Sequence, residues 1–372
     1  MIYLDYSANT PADAAVLDAF TKTERTFSGN PNSAHAAGQL AAKSLHKTTE
    51  EIAKLLGALP EEVIYTSGAS EANNLAIKGI ARSMRHVGRH ILTTPLEHAS
   101  VSGPLTSLKE QGWDVEMLDI GRDGKVDLES LRDLLRKDTV LVTVCAVDSE
   151  LGTVQPVEEI ADILKEYPNC KLHVDATQAI GKIPYRFAGD TMSLAAHKFY
   201  GLNGSGLLLK KKDLVIEPLI HGGTGASLYR SGTPTLGLNA ALLKALSLAL
   251  PEVEKRYAYV AELNRKLREE FARDPRVRIN SPQDAIPHIL NVSVKGIKGL
   301  EFQEALSDRG VCVSVKSACA VPGTPSRAVM AVSKDKKNAM SSWRISLSHL
   351  TTEEEIAAFL RSFHEVCQEF GL

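Results

Sequence analysis

The sequence predicts an α/β protein in which a large domain on a mostly parallel sheet is followed by a smaller C-terminal α+β domain. Two observations carry this. Between about residues 35 and 220, short apolar runs alternate with helical patterns, as expected for a sheet layered with helices. After Asp274 the pattern changes to separated strands with two helices among them. The 372 residues provide enough chain for two or three domains and a sizeable core.

Ala41, Leu45, Thr48, Ile52 and Leu55 recur at steps of four and three, marking one buried helix face that Gly57 can end. Strands are expected at Val63–Thr66, His90–Thr94, Val115–Leu118, Val140–Val147, Leu172–Asp175 and Gly206–Lys210, with helices such as Leu128–Arg136 and Val157–Tyr167 between them. Thr235 to Arg273 reads as largely helical, interrupted near Pro251, and forms an expected inter-domain spine. The later strands are Val277–Ile279, Ile289–Val294, Val311–Val315 and Trp343–Leu347, and the later helices are Leu300–Ser307 and Glu353–Glu369. Residues 12–240 are assigned to the large domain and 241–372 to the small one, with residues 1–11 packing against the latter. Lys334-Asp-Lys-Lys337 reads as a solvated loop.

Apolar residues make up 44 % of the chain and charged residues 24 %, which excludes a disordered or fibrous architecture. With 43 basic against 45 acidic residues, no global field draws the chain to nucleic acid or an anionic membrane. The five cysteines are widely spaced without a C-x-x-C pair, against a disulfide framework or structural zinc. No apolar run suggests a membrane span, and the first residues lack the pattern of a secretion signal. A soluble cytoplasmic protein is expected.

Several residues carry possible chemistry. His197-Lys198 follows the apolar Met192-Ser-Leu-Ala-Ala196 and precedes Gly201-Leu-Asn-Gly-Ser-Gly206, so Lys198 could be desolvated into an amine nucleophile. Asp175, near the end of a buried strand, needs a cation; a protonated pyridine nitrogen is one, and a structural salt bridge is the plainer alternative. His173 shares that strand face, but no third metal ligand stands at a recognisable spacing. Tyr65-Thr-Ser-Gly-Ala-Ser-Glu71 runs from a strand through Gly68 into a helix, offering backbone N–H groups and the Ser70 hydroxyl to an anion. It lacks the lysine of a nucleotide-triphosphate loop. His98 follows another strand end and could stack on a flat ligand or shuttle protons. Cys319, beside Ser317-Ala318 and near Lys316, has the setting of a reactive thiolate, whereas Cys145 and Cys312 fall in strands. Arg344 alternates with apolar neighbours; it either pairs with an internal acid or meets a substrate carboxylate.

Further segments extend this order across nearly the whole chain: Tyr3-Leu-Asp-Tyr-Ser-Ala-Asn-Thr-Pro11, Gly29-Asn-Pro-Asn-Ser-Ala-His35, Thr66-Ser-Gly-Ala-Ser-Glu-Ala-Asn-Asn74, His173-Val-Asp-Ala-Thr-Gln178, His221-Gly-Gly223, Arg230-Ser-Gly-Thr233 and Arg344-Ile-Ser346. Together they resemble the cysteine desulfurases, in the class V group of fold-type I pyridoxal-phosphate enzymes. The resemblance implies that Lys198 holds pyridoxal 5'-phosphate covalently, Asp175 binds its ring nitrogen, Gln178 its ring hydroxyl, and His98 stacks on the ring and moves protons. It implies a phosphate site of Ala69, Ser70 and His197, joined by Thr233 from the second subunit of a homodimer. Asn30 and Arg344 are implied to bind the substrate. Cys319 is implied to take sulfur from L-cysteine, leaving L-alanine, and to pass the persulfide to an acceptor protein, as in iron–sulfur cluster assembly.

Four departures fall near these positions. Asp148-Ser149 stand where the family has paired asparagines, so Ser149 occupies the place of a cofactor contact. Ala195 replaces a phosphate-binding serine, removing a hydrogen bond worth about 1.5–3 kcal/mol when charge-assisted. Gly225-Ala-Ser227 replaces a polar segment, and Val315-Lys316 replaces Ser-Gly. They leave room for a relative acting on another amino acid or a sulfur or selenium compound, or for a catalytically weakened scaffold.

Overall fold

Seven strands of the computed structural model, which describes residues 1–223, 227–316 and 323–371, form the main sheet. They are β2 (Val63–Thr66), β3 (His90–Thr93), β4 (Asp114–Met117), β5 (Thr139–Cys145), β6 (Lys171–Asp175), β7 (Thr191–Ala195) and β8 (Gly206–Lys210). The spatial order is β2-β8-β7-β6-β5-β3-β4, and β8 is the antiparallel member between β2 and β7. Helices cover both faces, so β5, β7 and β8 are buried at every residue, as a doubly covered parallel sheet requires.

The helices of this part are α1 (Ala14–Thr26), α2 (Ala36–Leu56), α3 (Ala69–Met84), α4 (Ala99–Glu110), α5 (Leu128–Leu134) and α6 (Val157–Leu164). Gly57 ends α2 in the left-handed conformation, at φ 69°. α3 lies against one face of the sheet with Ala72, Leu75, Ala76, Ile77 and Ile80 buried.

The spine is two helices, α7 (Leu236–Ala249) and α8 (Val253–Arg273), joined at Leu250-Pro251-Glu252. A window of this segment is apolar and long enough to cross a membrane, which the sequence reading did not register; half of that window is buried in the fold. α7 places Leu242, Ala245 and Leu246 in the core beneath the main sheet, and α8 places Val260, Leu263 and Phe271 in a second core. That core sits on an antiparallel sheet of β9 (Val277–Ile279), β10 (Ile289–Val294) and β12 (Ser342–Ser346), ordered β12-β10-β9. α9 (Gly299–Asp308) and α12 (Glu353–Glu369) cover it, with Phe302 stacked on Trp343 at 5.2 Å.

β1 (Ile2–Tyr3) pairs in parallel with β11 (Val311–Cys312), and Leu4 enters the second core. Beyond Leu4 the N-terminal segment leaves that core: the Thr10 N–H and hydroxyl both donate to the His197 carbonyl at 2.9 Å. Expected boundaries shift in places. The expected strand at 311–315 is two residues long, and β5 stops at Cys145, followed by an isolated bridge between Val147 and Val154. The run 334–337 is no plain loop. It ends α10 (Arg327–Ser333) with Lys334 in the left-handed region and starts α11 (Lys336–Ser341), where the Asp335 carboxylate caps the Asn338 N–H.

Candidate active site

The carboxyl ends of β2, β3, β5, β6 and β7 converge on one edge of the main sheet, where open α/β sheets place ligands. A cavity of about 340 Å³ opens there, lined by Ser67–Glu71, His98, Ser149, Asp175, Gln178, His197, Lys198 and Arg344, among others.

Lys198 closes the single 3₁₀ turn after β7, and its Nζ donates to the carbonyls of Ser7 at 2.9 Å and Ala8 at 2.7 Å. The turn is pinned from outside. Tyr200 adopts φ 67°, a strained value for a residue with a Cβ, and its N–H donates to Thr10 Oγ1 at 2.7 Å. Burial, with the charges of Lys198 and Lys182, pushes the His197 imidazole down to about 4.

Asp175 ends β6. Its Oδ2 accepts from Asn73 Nδ2 at 2.9 Å and its Oδ1 from the Thr177 N–H at 3.0 Å. Asn73 projects from the otherwise apolar face of α3 and also donates to Ser100 Oγ, while its Oδ1 meets His173 Nε2 at 3.0 Å and the Ser193 hydroxyl. His173 is thereby held by Asn73 and by Thr191 Oγ1 at 2.9 Å, and burial pushes it down to about 4. Asn73, Ser100 and Ser193 were not singled out from the sequence. A polar residue on a buried helix face is the signal that could have found Asn73.

The anion cradle lies at the start of α3. Gly68 precedes the helix at φ 148°, no side chain caps the first turn, and the Gly206 backbone packs so closely that an added Cβ would come within 2.6 Å of Gly68 Cα. The cradle is braced by Glu71, which accepts from the Ser67 N–H at 2.8 Å and from Arg230 Nε at 2.9 Å. His98 caps α4: its Nδ1 accepts from the Ser100 N–H at 3.1 Å, and burial lowers its pKa.

Arg344, on β12, is 1 % exposed; its Nη2 donates to Asp5 Oδ1 at 2.9 Å and its Nη1 to the Ser149 carbonyl at 2.7 Å. Of the two alternatives left by the sequence, the internal acid is therefore present, and the guanidinium still lines the cavity with its Nε unpartnered. Beside it, Asp148 accepts from the N–H groups of Glu150 and Leu151, and burial, with Glu150 nearby, pushes its carboxyl up to about 7. Glu97, beneath the same edge, is pushed up to about 8 by burial.

Some expected residues lie elsewhere. Asn30 is exposed and accepts from the Asn32 N–H at 2.9 Å, outside the cavity lining. Thr233 is also exposed and outside that lining. Cys319 and the substituted Gly225-Ala226 lie outside the described residues. Lys316 donates to the Thr324 carbonyl at 2.8 Å and hydroxyl at 2.6 Å.

Two buried hydroxyls in the cavity wall, Ser7 Oγ and Thr177 Oγ1, have no hydrogen-bond partner. With a buried carboxylate on one side and open helix N–H groups on another, the donor set fits a ligand carrying a protonated nitrogen and an anionic group.

Comparison with known proteins agrees. The aminotransferase class-V family model matches residues 2–359. A NifS/IcsS protein homolog of Lactobacillus delbrueckii subsp. bulgaricus is 37 % identical, over 100 % of this chain and 98 % of its own length. The cysteine desulfurase IscS of Dictyoglomus turgidum is 36 % identical, over 95 % of this chain and 91 % of its own. A solved NifS-like protein superposes with a TM-score of 0.92 at 34 % identity, covering 99 % of both chains.

Proposed function

Because the chain belongs to the aminotransferase class-V family and is a pyridoxal-phosphate-dependent cysteine desulfurase, we propose that the cavity at the sheet edge is its active site, with Lys198 as the cofactor-bearing amine. The observation that carries this is that Lys198, Asp175 and the open N-terminus of α3 line one cavity.

Bound pyridoxal phosphate supplies an electron sink for the Cα–H bond of an amino acid. Each neighbouring side chain has a matching task. Asp175, fixed by Asn73 and Thr177, holds a proton on the ring nitrogen. The backbone of Ala69 and Ser70, the Ser70 hydroxyl and His197 would hold the phosphate. Ala195 offers no hydroxyl there. Gln178 and Ser149 would contact the ring substituents, and His98, whose pKa burial lowers, would lie against the ring and take part in proton movement. Lys198 Nζ, steered by the Ser7 and Ala8 carbonyls, takes and returns the Cα proton. Arg344 receives the substrate carboxylate in competition with Asp5, while the substrate role of Asn30 rests on the resemblance alone.

Cys319 completes the reaction as a thiolate. Its sulfur bonds to the sulfur of the substrate cysteine, the substrate C–S bond breaks with its electron pair staying on carbon, and protonation of that carbon gives alanine. The products are alanine and a Cys319 persulfide, which passes its outer sulfur to an acceptor protein such as an iron–sulfur assembly scaffold. The same reading makes the protein a cytoplasmic homodimer in which Thr233 reaches the phosphate of the other copy, and divides each chain at about residue 240. The exposed position of Thr233 and the unpaired state of Cys145, Cys170, Cys312 and Cys367 support it.

Mass spectrometry of the holoenzyme after incubation with cysteine tests the assignment. One added sulfur on the Cys319 peptide, absent in Cys319→Ser, is expected, together with borohydride-fixed cofactor on the Lys198 peptide. Added sulfur on another cysteine, or cofactor fixed elsewhere, would overturn it.

A further inference from the structure

One buried amine at the site has no place in the chemistry above. Lys182 lies four residues after Gln178 in the turns that follow β6, wound by Ile180 N–H to Ala176 O at 3.1 Å and Lys182 N–H to Ala179 O at 3.0 Å. Gly181 allows this path with φ 77° at a point where a Cβ would sit 2.8 Å from Phe199 Cβ. The winding brings the side chains of residues 178 and 182 together. Lys182 is 6 % exposed, and its Nζ donates to Gln178 Oε1.

The contact continues. Gln178 Nε2 donates to the Ser7 carbonyl at 3.0 Å, and the same carbonyl accepts from Lys198 Nζ at 2.9 Å. A hydrogen-bonded line therefore runs from Lys182 through Gln178 and Ser7 to Lys198. Among the described residues, the charged and titratable groups acting on or near Lys182 are Lys198, Arg344, His197 and His288, with no carboxylate among them. Among the described residues Lys182 takes part in no ion pair, and burial and the two cations push its amine well below the usual lysine range.

A glutamine amide presents donors at one end and an acceptor at the other, and its orientation is set by its partners. Ser7 O takes the donor end and Lys182 Nζ satisfies the acceptor end, which leaves the second N–H of Nε2 available to the cavity. We propose that Lys182 is a positioning residue that fixes the Gln178 amide with its N–H end toward the cofactor ring and couples that contact to Lys198. This rests on the assignment of Gln178 and Lys198 to the cofactor. Hydrogen bonds in series also polarise one another, so the Lys182 bond strengthens the N–H that Gln178 offers.

The test compares the parent protein, Lys182→Met, Gln178→Ala and the double variant in two measurements: the pyridoxal phosphate dissociation constant on reconstitution of apoprotein, and the pH midpoint of the bound cofactor's visible band. Lys182→Met is expected to weaken binding about 3- to 10-fold, the range of one hydrogen bond, and to move the midpoint in the same direction as Gln178→Ala. In the Gln178→Ala background it is expected to add nothing. Lys182→Gln, which restores a neutral donor, is expected to return the midpoint toward the parent, and stands in if Lys182→Met does not fold. Unchanged binding and midpoint in Lys182→Met, additive effects in the double variant, or Lys182→Gln behaving like a lost donor would overturn the proposal. A parent protein that develops no visible band with added cofactor fails at the earlier step, the cofactor assignment itself.

Discussion

Asp5 Oδ1 accepts from Arg344 Nη2 at 2.9 Å, an ion pair between residues 339 positions apart. Asp5 Oδ2 also accepts from Ser314 Oγ at 2.7 Å, so one carboxylate joins the N-terminal segment to two parts of the small sheet region. Removing it strands a guanidinium that is almost wholly buried. Asp5→Ala is therefore expected to lower the unfolding free energy by about 3 kcal/mol, the low end for a broken buried pair, because Arg344 keeps the Ser149 carbonyl. Urea unfolding of the two proteins measures this, and an unchanged midpoint and slope would show that Asp5 does not hold Arg344.

Asn73 has the same standing beside Asp175. Asn73→Ala leaves Asp175 Oδ2 and His173 Nε2 without the partners they now have. A loss of about 1–3 kcal/mol in stability is expected for each buried group left unsatisfied, accompanied by weaker cofactor binding as Asp175 loses its orientation. Calorimetry on the apoprotein separates the first effect from reconstitution titrations of the second. Normal cofactor affinity in a destabilised protein would restrict Asn73 to a structural role.

Glu97 supplies a prediction in pH. Its carboxyl is raised by burial to about 8, so between its unfolded value and that point the fold binds a proton that the unfolded chain has released. Stability from this group is therefore present at low pH and is lost as pH rises through 8. Glu97→Gln keeps the acceptor used by Thr94 and the Cys145 N–H but removes the titration. Relative to the parent, the variant is expected to gain about 2 kcal/mol between pH 6.5 and 8. The comparison cancels the contributions of Lys182 and the buried histidines, which are common to both proteins. Parallel stability curves across that interval would place the Glu97 titration elsewhere.

Gly206 permits a close approach rather than a turn. A Cβ there would meet the Leu194 carbonyl and Gly68 Cα, each at 2.6 Å. Gly206→Ala is expected to cost about 1–3 kcal/mol by overpacking and, because Gly68 must move, to weaken inorganic phosphate binding at the α3 N-terminus. Both are readable by thermal shift with and without phosphate.

The parts of the site that sequence reading located are those in which one short segment carries its own signal. Asp175 on a buried apolar strand, His197-Lys198 before a glycine-rich run, and Gly68 between strand and helix each carry a weak local signal that their order along the chain turns into roles. Asp5 and Asn73, though inside segments that carry the resemblance, and Lys182 had no role assigned for a different reason: each acts through a partner the local pattern does not name. The Ser7 and Ala8 carbonyls that steer Lys198 have no side-chain signature at all. In the fold, α1 escaped notice because it buries little beyond Val16, and α10 and α11 because seven and six residues are too few for a helical period to emerge.

Residues 4 to 10 bridge elements made at opposite times during synthesis. Leu4 O accepts from the Ser346 N–H at 2.7 Å, while Ser7 and Thr10 secure Gln178 and the Lys198 turn. On the ribosome, this segment is made long before β12, with which it must pair before it can settle. The loop it must close separates Leu4 and Ser346 by 342 positions, the slowest kind of contact to form. A nascent chain therefore holds the strands that line the cavity well before the segment of residues 4–10 can close it.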